Sequence, residues 1–203
     1  SKSLIIVFLC LLLPIIKVHG NTPLIVDYST YLGGNGTEGH GNLYFNGSNR
    51  LIIVSETSST DYPVLNSYQD RNKGERDIII SSLALDENSL TYSTYFGGDG
   101  DDFVSGSVMN SEKQIIIVGV TDSSDFPLIN PLSINSSGER DVFIVIFDLK
   151  TGNFTFSSLL GPASDYYGIN VFNNHVMAEY MPKDIYKQVL NTIEEGKQID
   201  RKI

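Results

Sequence analysis

The chain has 203 residues, a formal net charge of −10 and one cysteine. Acidity of this kind repels phosphate backbones and argues against nucleic acid as a partner, and a lone cysteine leaves no internal disulfide or cysteine-ligated zinc to hold the fold. The charge is uneven: residues 21–174 carry 19 Asp and Glu against 7 Lys and Arg, whereas residues 175–203 balance at 5 against 5.

Residues 1–20, SKSLIIVFLCLLLPIIKVHG, read as a secretory signal, with Lys2 ahead of an apolar run over 4–16 that ends at Lys17. Val18 and Gly20 are the small residues before a cleavage point after Gly20. The run falls short of the about 20 apolar residues that a spanning helix needs, so no transmembrane segment is expected after cleavage. An uncleaved anchor and a buried strand are the other readings of this run. Cys10 lies inside it, so the cleaved chain would hold no cysteine. Residues 21–27 read as a linker or first strand. Four Asn-x-Ser/Thr sequons follow, at Asn35, Asn46, Asn135 and Asn153, and with a signal they suggest a glycoprotein that is secreted or displayed on the outer face of the cell surface.

Adding 64 to any position in 28–91 reaches its counterpart in a second copy without a gap. YSTYLGG at 28–34 becomes YSTYFGG at 92–98, and GERD at 74–77 recurs at 138–141. LIIVSETSSTDYPVLN, from Leu51, becomes IIIVGVTDSSDFPLIN, from Ile115. A third copy opens with FSSLLGP at 156–162 and fades by residue 174. The repeats are therefore 28–91, 92–155 and a partial 156–174. Within the first, the apolar pattern predicts strands at about 42–45, 51–56, 77–85 and 90–95, separated by turn-rich NGSN, SSTDYP, DRNKGER and DENS. No helical period occurs between 21 and 174. Four antiparallel strands repeated at a fixed period describe a blade of a β-propeller. The expected fold is all-β, an incomplete propeller of two whole units and the start of a third, so the chain reads as a fragment or a truncated product.

The phrases YSTYLGGNGTEG and YSTYFGGDGDD, each followed by ETSSTDYP or VTDSSDFP and then by GERD, resemble the SBBP-type β-propeller repeat over residues 28–174. Gly97, Gly98, Gly100, Asp101 and Asp102 match that family's GG-x-G-D-D phrase. The first copy departs from it at Thr37 and Glu38, and the third has Ser164, Asp165 and Tyr166. The resemblance implies a repeat architecture in secreted or cell-surface proteins and no one activity.

The repeat gives way to HVMAEYMPKDIYKQVLNTIEEGKQIDRKI at 175–203. Pro182 suits the first turn of a helix, and Ile185, Val189, Leu190 and Ile193 form an apolar stripe at spacings of three and four. A helical tail is expected there, either docked on the unfinished unit or foreign to the repeat.

Among candidate sites, Asp99, Asp101 and Asp102 gather carboxylates around Gly100, as a calcium loop would. An ordinary turn with Asp caps is the competing reading. The GERD phrase could present Arg76 and Arg140 to an anion or lock a unit to its neighbour. Asp-aromatic-Pro at 61–63 and 125–127 should anchor a loop in the core. His19, His40 and His175 share no metal-ligand spacing, and no catalytic motif is visible. Sequence alone thus leads to the expectation of a non-catalytic interaction or scaffold module with an extracellular protein or carbohydrate partner and no cofactor beyond calcium. The alternative is an extracellular propeller-type hydrolase whose active site lies in missing blades.

Overall fold

In the computed structural model, residues 3–8, 25–47, 49–132, 140–162, 169–172 and 175–178 are described, and for 3–8, 25–27, 162, 169–172 and 175–178 the backbone alone. The described residues form an all-β protein with twelve strands and no helix. They divide between two units, residues 1–72 with 79–95 and residues 73–78 with 96–203.

In the first unit β1 (Ser3–Phe8) runs parallel to β2 (Ile25–Tyr31). The opening of the expected signal segment is thus a strand, and residues 9–24 lie outside the described residues. β3 (Asn42–Phe45), β4 (Arg50–Thr57), β5 (Asp77–Ala84) and β6 (Ser89–Phe96) follow one another in a single sheet, in chain order. Each lies within one residue of its expected position. β4 and β5 are apolar on both faces because both faces are buried, from Leu51 to Val54 and throughout β5. The core of this unit joins Leu32, Leu51, Ile53, Tyr62, Ile79, Leu83 and Tyr95. β3 is short and mostly exposed, as suits an outer strand.

The second unit repeats the plan. β7 (Asp102–Met109), β8 (Gln114–Thr121), β9 (Asp141–Asp148) and β10 (Asn153–Pro162) form an antiparallel sheet, again in chain order. Its core centres on Ile116, Val118, Ile144, Ile146, Phe156 and Leu160. Beside it an aromatic chain runs from Phe154 through Phe96 and Phe126 to Phe143, with ring centroids 4.2, 5.6 and 4.9 Å apart. A hairpin, β11 (Ile169–Phe172) with β12 (His175–Ala178), comes last. The expected helix beginning near Pro182 lies outside the described residues.

The 64-residue period also governs the turns. Left-handed residues recur at equivalent places: Asn49 and Lys113 before the second strand, Asn66 and Asn130 in the long loop, Asn88 and Gly152 before the fourth strand. Asn and Gly tolerate this conformation, and Lys does so at a cost.

Candidate functional site

The Gly-rich loop that follows each YSTY phrase presents four successive backbone N–H groups, a concavity that attracts oxygen acceptors. In the first unit these come from 34–37. The N–H of Gly34 donates to Glu38 Oε1 (2.6 Å), Asn35 to Asp61 Oδ1 (2.6 Å), Gly36 to Ser59 Oγ (2.8 Å) and Thr37 to Ser58 Oγ (2.8 Å). In the second unit Gly98 donates to Asp102 Oδ2 (2.8 Å), Asp99 to Asp125 Oδ1 (2.7 Å), Gly100 to Ser123 Oγ (2.9 Å) and Asp101 to Asp122 Oδ1 (2.6 Å). Every acceptor sits at the same place in its copy. The Ser–Asp loop is itself braced, with Ser59 and Ser123 N–H donating to Thr57 and Thr121 Oγ1, each at 2.9 Å. Glu38 replaces Asp102 and still makes the bonds, accepting also from Ser59 Oγ (2.9 Å). The arrangement is a latch between two loops, and its backbone donors are already filled.

Asp99, Asp101 and Asp102 therefore serve three different anchor points. Asp99 accepts from Ser124 N–H and Oγ, both at 2.7 Å, and these bonds hold its carboxyl below the ordinary aspartate range. Asp101 contributes its backbone N–H to Asp122. Asp102 is fully buried and accepts from Gly98 N–H and from Ser123 Oγ (3.1 Å). Burial pushes its carboxyl up to about 7, and the charge of Asp77 adds to the rise. Among the described residues no group of three or more His, Cys, Asp or Glu side chains is placed to hold a metal ion.

Gly97 and Gly98 are not in the left-handed region, so they are not needed for a special turn. They are needed for close approach. A Cβ on Gly97 would meet Asp102 and, at 2.7 Å, Asp77, while one on Gly98 would meet Asp125 and, at 2.7 Å, Ser123 Cβ.

The GERD residues at 74–77 pack on the loop of the second copy. Glu75 N–H donates to Gly100 O (3.2 Å), Asp102 N–H donates to Arg76 O (2.7 Å), and the Arg76 guanidinium lies 4.8 Å from the Phe103 ring centroid. Arg140 stands 6.0 Å from the same centroid, with Nε 3.8 Å from Asp122. Tyr62 and Phe126 are buried, as the Asp-aromatic-Pro phrase requires. Burial raises the Tyr62 phenol well above its ordinary value, against the effect of its bond to Ser81 Oγ (3.3 Å).

Of the sequon residues, Asn35 bonds Thr60 through both amide atoms, Nδ2 to Oγ1 at 3.1 Å and Oδ1 from N–H at 3.0 Å. Asn46 N–H donates to Arg50 O (3.1 Å) in the turn after β3, and Asn153 Nδ2 donates to Thr151 O (3.2 Å). Asn135 lies outside the described residues. The latch partners Ser58, Ser59, Asp122 and Ser123 were not singled out by sequence, whereas Asp61 and Asp125 belong to the Asp-aromatic-Pro phrases that were. The signal for all of them was the recurrence of T-x-S-x-D at a fixed distance after each Gly-rich phrase.

Comparison with known families changes the functional reading. The family model that matches is the N-terminal domain of glutamine synthetase type III, over residues 163–203, and no SBBP-type repeat is found. The SBBP resemblance is thereby overturned. The expectations of a secreted glycoprotein scaffold and of a protein that is not an enzyme give way with it: what the comparison supports is a likeness of residues 163–203 to that N-terminal domain. No curated protein matches the chain.

Proposed function

We propose that this chain is a glutamine synthetase-related protein, in which a repeated β region ending with β10 is followed by a segment of the kind found at the N terminus of type III glutamine synthetase. The observation that carries the reading is where the match begins. β10 ends at Pro162 and the matched segment starts at residue 163. In the partial third copy, which fades by residue 174, Pro162 stands in place of Gly98. The full chain, incubated with glutamate, ammonium and ATP, is expected to form glutamine, and a chain lacking 163–203 is expected not to. Glutamine no higher than in a protein-free control overturns the reading.

The two four-stranded sheets are, on the same proposal, blade-like units of propeller type. The chain-order arrangement of strands and the equivalence of latches and turns 64 residues apart support this. A crystal structure in which the two sheets pair edge to edge into one continuous sheet would refute it.

A further inference from the structure

The turn between β3 and β4 recurs between β7 and β8, each residue 64 positions further on. Asn46 N–H donates to Arg50 O (3.1 Å), and Asn110 N–H donates to Gln114 O (2.9 Å). Asn110 is buried and its amide is part of the turn. Its Oδ1 accepts from Glu112 N–H (3.0 Å) and Gln114 N–H (2.9 Å), while Nδ2 donates to Gln114 Oε1 (2.8 Å). The two turns differ in the residue after the asparagine, Gly47 in the first and Ser111 in the second. Gly47 is exposed and left-handed (φ 64°), and a Cβ placed on it would meet nothing within 4 Å.

The sequence has one other Asn–Gly step, Asn35–Gly36, and there the glycine nitrogen is held. Gly36 N–H donates to Ser59 Oγ (2.8 Å), and a Cβ on Gly36 would meet Ser58 C and Ser59 N, each at 2.6 Å, so this peptide has no room to turn. The Cγ of an asparagine always lies near the next residue's nitrogen, and what limits reaction between them is the freedom of that peptide to rotate. Glycine, lacking Cβ, leaves this freedom largest.

We infer that Asn46 is a site of spontaneous deamidation through the Gly47 nitrogen, while the same fold protects Asn35 and Asn110. The Gly47 nitrogen gives up its proton and attacks Asn46 Cγ. The N–Cγ bond forms, the Cγ–Nδ2 bond breaks, and Nδ2 leaves with a proton as ammonia. Solvent water then opens the cyclic imide at one of its two carbonyls, leaving an aspartyl or an isoaspartyl residue with one added negative charge. The isoaspartyl product routes the main chain through Cβ and lengthens the turn beside the Phe45–Leu51 pair. The end of the outer strand β3 is what this change loosens. The reaction needs no enzyme and is independent of the 163–203 segment and the glutamine synthetase reading. The full chain, aged at mildly alkaline pH and followed by peptide mapping, is expected to shift from the amide to the acid mass at Asn46 at least about tenfold faster than at Asn35 or Asn110. Gly47→Ala should slow the change at Asn46 by about tenfold or more. Unfolding in urea should bring Asn35 up to the rate of Asn46, with Asn110, which precedes a serine, still behind. Four outcomes overturn the inference: no shift at Asn46, equal rates at Asn35 and Asn46 in the folded chain, a rate indifferent to Gly47→Ala, or an Asn35 that stays slow in urea. The aged fraction, resolved by its added charge, should unfold at lower urea than the fresh chain; equal midpoints would refute the loosening of β3.

Discussion

Gly98 stands where a methyl group has no room, between Asp125, Ser123 Cβ and Phe126 N. Gly98→Ala is expected to destabilise the fold by about 1–3 kcal/mol, the usual range for overpacking, and a urea midpoint no lower than wild type would refute the close-approach account. Asp102, a few residues on, gives the latch a pH dependence. Its folded pKa of about 7 lies above the about 3.9 of an unfolded aspartate. Between those values the folded state keeps a proton that the unfolded state has released. The stability this contributes is therefore complete below about pH 4 and is lost as the pH rises through about 7. Asp102→Asn should remove that fall, and the gap between the two urea profiles should change by a few kcal/mol, order of magnitude, from pH 4 to 8; parallel profiles would sink the claim. Calcium bears on the same loop. A cation at Asp99 would have to displace the Ser124 donors, so adding calcium is expected to leave the melting temperature unmoved, whereas a rise abolished by Asp101→Ala would support the calcium loop. The latch was only half legible in the sequence. GGDGDD looked self-contained because an acidic Gly-rich phrase resembles a cation loop, while its true partners lie more than twenty residues away and are common turn residues.

The long loops matter at the scale of elements because they turn the outer edges of β6 and β10 into paired edges. An exposed edge invites association with other chains, and Leu65 and Ile129 each close one with two backbone bonds. Proline at either place removes one N–H donor and forces its predecessor toward extended geometry. Leu65→Pro and Ile129→Pro are each expected to cost about 1–3 kcal/mol and to produce concentration-dependent association in sedimentation runs; a monomer of unchanged stability would show that the loops do not protect the edges. The strands themselves were readable because β-branched runs such as IIIVGV, bounded by Asn, Gly and Asp, leave little choice of period or ends. Their pairing partners followed from the repeat. The covering loops were not readable as sheet elements, since only isolated residues after the T-x-S-x-D-aromatic-Pro phrases, such as Leu65, Gln69 and Ile129, make ladder bonds. Nor did the apolar opening of the chain betray β1, because a short run of Leu and Ile fits a signal, an anchor and a strand alike.

Across the whole molecule, the two complete repeats end at residue 155 and the matched segment begins at 163, inside the partial third copy. Among the described residues, the core clusters of the two units fall between Leu32 and Leu160, and both latches fall between residues 34 and 125. Burial of these side chains supplies the main driving force for folding, so residues 163–203 should be dispensable for the sheets. The backbone of β11 lies near β7 and β8, and its loss should be felt modestly. A chain ending at Pro162 is therefore expected to keep the β-type far-ultraviolet spectrum and a cooperative thermal transition, with stability lowered by no more than about 2 kcal/mol. It is expected to lose any glutamine-forming activity of the full chain. The two readouts separate the hypotheses. If the truncated chain unfolds, the matched segment belongs to the core of the repeat region and the division at residue 163 is wrong. If it folds and retains the activity, the chemistry resides in the β units, and the glutamine synthetase-like segment cannot be its source.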